Sequence, residues 1–116
     1  MNRLVLLLIL LPLAAHADTQ ADAALAAIRD LGTVNGQALA CGQSEAAARA
    51  KALMLERAPR TFAYGDAFQS STHAAFLAQT QQTPTTCPDA AELLQRLDAL
   101  AQRLAKLLPS PEEKAR

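Results

Sequence analysis

Leu93, Leu97, Leu100, Leu104 and Leu107 recur at spacings of four and three, the sharpest periodicity along the chain. Glu92, Arg96, Asp98, Gln102, Arg103 and Lys106 occupy the intervening surface, so the segment predicts an amphipathic helix with one leucine seam. Leu94 and Leu108 widen that seam, which suits packing inside a globular bundle better than a short zipper. Pro88 fits the first helical position, where its missing N–H would have no partner. Cys87, held out of the helical region by that proline, becomes the expected cap. Pro109 ends the helix.

Upstream, Ala46, Ala47, Ala50, Leu53 and Met54 form one stripe, with Ser44 as cap, Glu45 in the first turn and Ala58-Pro59 as the stop. Thr61 caps a further helix that reaches about Thr80. Its inner face is Tyr64, Ala67, Phe68, Ser71 and Ala75, with Thr72 and Phe76 to one side and Leu77 pointing away. Because all four aromatic residues (Phe62, Tyr64, Phe68, Phe76) fall on this segment, it is expected to be the central element, with rings filling the core. Earlier still, Ala21, Leu25 and Ile28 share a face, flanked by Ala24 and Leu31, in a helix starting at Asp18 or Thr19. Gly32 reads as its stop, and Asn35-Gly36 as a turn before a short helix that ends at Gly42. A polar loop spans 81–86. The pattern predicts an all-α bundle of four to five helices.

The first residues follow a different logic. Asn2 and Arg3 precede a nearly unbroken apolar run from Leu4 to Ala15, and Ala15-His16-Ala17 has the small-x-small form of a cleavage site. About twelve apolar residues are too few to span a bilayer, which takes roughly twenty. Residues 1–17 are therefore expected to be a cleaved signal peptide, 18–108 the helical domain and 109–116 a flexible polar tail. No cysteine ends the apolar run, so a soluble periplasmic or secreted product is expected rather than a lipoprotein, with no membrane span left after cleavage.

Composition sharpens this. Alanine is abundant and tryptophan absent, which favours helices that approach closely over strands. Eleven basic side chains face eleven acidic ones. Loss of Arg3 with the leader leaves a charge near −1, without the basic excess of a nucleic-acid binder.

Two cysteines, Cys41 and Cys87, remain in an exported chain, where a disulfide is expected. Their separation is that of a tertiary staple and not of a Cys-x-x-Cys thiol-exchange motif. His73 is the single histidine after cleavage. With Ser70 and Asp66 it lies on one straight helix, from which three side chains cannot converge as a triad. With both cysteines bridged, too few ligands remain for zinc. No metal, cofactor or catalytic residue is assigned. Arg49, Lys51, Arg57 and Arg60 make a local basic excess. The candidate ligand or partner surface is Arg57, Arg60 and Tyr64, which would receive an anionic group, with Phe62 or Phe76 as an apolar wall.

These features favour a non-catalytic interaction module in the periplasm: an adaptor, chaperone or inhibitor acting on another exported or envelope protein. The alternative is a small-ligand binder holding an apolar or anionic molecule beside residues 62–76, and a thiol-redox role ranks below both. A surface joining Leu77 to an outer leucine of 93–108 would serve a partner or a homo-oligomer. No motif marks a family. In size, export and cysteine count alone the chain resembles small periplasmic helical proteins with one disulfide, such as acid-stress chaperones, and no functional residue follows from that likeness.

Overall fold

A computed structural model of the chain describes residues 12–82 and 86–110. Residues 1–11 of the expected signal peptide and 111–116 of the expected tail lie outside the described residues. Four helices follow in order: α1 (Pro12–Ala40), α2 (Ser44–Arg57), α3 (Phe62–Thr80) and α4 (Ala90–Leu107). The described residues are all-helical, as the pattern predicts, and Cys41 is bonded to Cys87 with 5.8 Å between their α-carbons.

The largest departure from expectation is α1. It passes without interruption through Asp18, through Gly32 and through Asn35-Gly36, so one helix replaces the expected helix, turn and short helix. The glycines are there for a neighbour. A β-carbon on Gly32 would lie 2.6 Å from the Phe68 carbonyl oxygen and 2.8 Å from Ser71 Cβ. One on Gly36 would collide with the Thr72 carbonyl oxygen and lie 2.8 Å from Ala75 Cβ. These are backbone-close approaches, of the kind that small residues spaced by four permit. Because Gly32 meets Phe68 and Ser71 while Gly36 meets Thr72 and Ala75, α1 and α3 run parallel. Asn35, although buried, is satisfied: its Nδ2 donates to Thr72 Oγ1 at 3.1 Å. The Thr72 hydroxyl in turn donates to the Gly32 carbonyl at 3.2 Å. A side chain that signals a turn in sequence thus ties two helices together.

α1 does stop at Gly42, as expected, which adopts φ +69°. Gln43 N–H donates to the Ala38 carbonyl at 2.8 Å and Gly42 N–H to that of Leu39 at 3.4 Å, the paired bonds of a Schellman ending. Two caps differ from the sequence reading. Gln43 precedes α2 and Ser44 is its first helical residue, with no side-chain cap bond. Asp89, not Cys87, caps α4: its carboxylate accepts from Glu92 N–H at 2.8 Å, and Pro88 lies outside the helix. Asp89 can reach a free amide of the first turn, which a bonded cysteine cannot.

The helix at the centre is α1, not the aromatic α3. It packs against all three others, whereas α3 makes only marginal contact with α2 and α4. Ala27, Ile28, Leu31, Val34 and Ala38 of α1 are buried, and they meet Ala46, Ala47 and Ala50 of α2 and Leu93, Leu97, Leu100 and Leu104 of α4 in one core with Ala67 and Phe68. The leucine seam is thereby the core seam, each buried leucine worth about 1.5–3 kcal/mol relative to exposure. Arg103 reaches Asp30 at 2.6 Å and Arg96 reaches Gln37 at 2.7 Å, so α4 runs antiparallel to α1. Arg49 pairs with Asp98 and ties α2 to α4. α3 therefore stands apart, held by α1, and leaves a gap beside α2.

Candidate functional site

That gap is a concave feature of the described residues. Its middle is a cavity of about 390 Å³ lined by Asn35 and Leu39 of α1, Ala47, Ala48 and Lys51 of α2, and Phe68, Gln69 and Thr72 of α3. A second recess of about 100 Å³ continues it towards the α2–α3 connection, bounded by Met54, Leu55, Pro59, Arg60 and Gly65. Together they trace a groove with α1 as floor and α2 and α3 as walls.

Helix geometry explains the lining. Phe62, Gly65, Gln69, Thr72 and Phe76 recur at three and four positions and make one stripe of α3. Lys51 and Leu55 stand four apart on α2, to one side of its buried Ala46, Ala47 and Ala50. Leu39, 51% exposed, lines the middle cavity and Leu55, 67% exposed, the second recess, while Phe62 and Phe76, at 86% and 38%, lie on the α3 stripe that borders them. Leu77, as expected, is also exposed, but it lies on the outward side of α3. The charged residues lining the two recesses are Lys51 and Arg60, both cationic. No carboxylate lines either one.

The sequence-derived candidates fall on different parts of this landscape. Arg57 and Arg60 share a cleft of about 340 Å³ with Glu56, Leu107, Leu108 and Pro109, which adjoins the second recess through Leu55, Ala58, Pro59 and Arg60. Arg57 is mostly covered and lies 3.6 Å from the Glu56 carboxylate. Tyr64 packs half-buried against the core and lines none of these recesses. Phe62 and Phe76 share the groove stripe but stand about 20 Å apart along α3. The structure thus brings Arg57 and Arg60 together without Tyr64. It adds Leu39, Lys51, Leu55 and Gln69, which sequence reasoning missed. The signal available was the three-and-four recurrence of 62, 65, 69, 72 and 76, which mixes apolar and polar residues and does not read as a core face.

Elsewhere, His73 is exposed and Ser70 Oγ donates to Asp66 Oδ1 at 3.3 Å on the same helix. No group of three or more His, Cys, Asp or Glu side chains that could hold a metal occurs among the described residues. No described helix is long and apolar enough to cross a membrane. Gln79, buried near the end of α3, places its Nε2 3.7 Å from Cys87 Sγ. The chain matches no family model, no curated protein and no solved structure.

Proposed function

We propose that this protein is an exported, disulfide-stapled interaction module that seats a segment of another periplasmic or envelope protein in the α2–α3 groove, without catalysing a reaction. The observation that carries the reading is that exposed Leu39 and Leu55 line one groove between helices, with exposed Phe62 and Phe76 on the α3 stripe that borders it. Isolated exposed apolar residues mean little, but a contiguous set around a concavity favours association. The apolar N-terminal run and the cysteine pair support export. An adaptor, a chaperone and an inhibitor would each use such a surface. The middle cavity, at about 390 Å³, is also of a size that takes a small apolar molecule, which supports ligand binding as the second reading.

A photo-crosslinking amino acid placed at Gln69 of the full chain in an exporting host tests this. The expected adduct joins Gln69 to one defined segment of one protein, is competed by that segment as a free peptide, and is absent when the probe sits at Gln95. Equal labelling from both positions, or none from Gln69, would contradict the proposal. A copurifying small molecule that is lost on filling the cavity with Ala48→Trp would establish the second reading instead.

A further inference from the structure

We infer that the segment seated in the α2–α3 groove is an acidic amphipathic helix; this rests on the groove being the docking site. Along the middle cavity the walls are helix interiors, whose backbone amides and carbonyls are spent within the helices themselves. An extended peptide would therefore find no ladder of free N–H and C=O groups to pair with. A helix satisfies its own backbone and needs only side-chain contacts, which is the helix-in-groove mode. Leu39 of the floor and Leu55 of the α2 wall supply apolar contacts. Asn35 is already engaged with Thr72, so the floor asks for no polar partner.

Charge then selects the class. Lys51 and Arg60 line the groove, no carboxylate does, and neither cation is paired with an acid among the described residues. A basic helix would bring like charges together as water is excluded, whereas acids on the occupant would meet both cations. Lys51 lines the middle cavity and Arg60 the recess at the α2–α3 connection, so the two cations stand at different points along the groove. The expected signature is two acids on separate turns of the docked helix, beside leucine- or phenylalanine-type anchors spaced by three and four.

The test is a displayed library of helices of about fourteen residues, apolar at heptad a and d positions and randomised among Glu, Gln and Lys elsewhere. It is panned against the oxidised full chain. Expected is enrichment of Glu on two separate turns, with affinity that falls as salt rises and drops about tenfold in Lys51→Glu, whose helical circular dichroism stays unchanged. Enrichment of Gln- or Lys-bearing helices that are still blocked by Ala48→Trp would overturn the acidic class and leave the groove standing. Enrichment insensitive to Ala48→Trp would overturn the groove as well, as would no enrichment at all. Binding to anionic phospholipid vesicles that vanishes in Lys51→Glu, with no helix enriched, would assign the cations to a lipid surface and overturn the inference.

Discussion

Replacing both cysteines, Cys41→Ser with Cys87→Ser, is expected to remove about 4 kcal/mol of folding stability. The bond joins residues forty-six positions apart, and closing a loop of that length in the unfolded chain accounts for roughly this figure in the chain-entropy description, as an upper value. Its position makes the loss hard to absorb. The bond fixes the end of α1 to the residue two places before the Asp89 cap of α4, and α4 otherwise holds to α1 and α2 through its leucine seam. α3 lies between them in the chain but scarcely touches α4, so it offers no substitute tether. For a domain of this size each kcal/mol moves Tm by about 4–8 °C, and thermal unfolding followed by circular dichroism should show a drop of some 15–30 °C. A shift below about 5 °C would mean that the staple contributes little to the fold.

The second large effect concerns two glycines with opposite expected signs. In a helix, Gly→Ala ordinarily stabilises by about 0.5–1 kcal/mol. Gly65 on α3 has open space where a β-carbon would go, so Gly65→Ala should show that gain. Gly36 on α1 does not. There the new methyl meets the Thr72 carbonyl and the Phe76 amide, both backbone atoms, as well as Ala75 Cβ. None of these is the movable end of a side chain, so α3 must shift as a unit. The bond of Asn35 to Thr72, one residue away, would stretch with it. Overpacking of this kind costs about 1–3 kcal/mol, and Gly36→Ala should be destabilised by that order in urea unfolding. If both variants gained stability alike, the close approach of α1 and α3 would not exist in solution.

The same pair of glycines marks where the sequence is legible and where it is not. The leucine seam of α4 can be read directly because every seam position is leucine and the exposed positions hold only alanine and charged or amide side chains, so one period dominates. The α2 stripe is read from its alanines at 46, 47 and 50 and the Ala58-Pro59 stop from the restriction that proline places on the residue before it, and Gly42 does end its helix. Gly32 and Asn35-Gly36 carry the usual marks of chain breaks, yet α1 continues through them. The reason is tertiary: a glycine can yield backbone freedom or side-chain absence, and only the neighbour decides which is used. The matching small residues Ser71 and Ala75 on α3 were the available hint. Choosing the aromatic helix as the centre failed similarly, since the alanines and glycines of α1 let three helices come close, whereas ring size says nothing about how many neighbours a helix has. The groove was the least legible feature. It arises because α2 and α3 both pack on α1 and scarcely on each other, a relation between elements that no local pattern encodes.

Methyl NMR of the oxidised full chain, titrated with the crosslinked partner segment as a peptide, tests the docking groove most directly. The methyl signals of Leu39 and Leu55 should shift together and saturate with one affinity, while those of Leu77, on the outer side of α3, stay in place. Shifts centred on Val34 and Leu100, which line the cavity between α1 and α4, with Leu39 and Leu55 unmoved, would contradict the groove as the binding site.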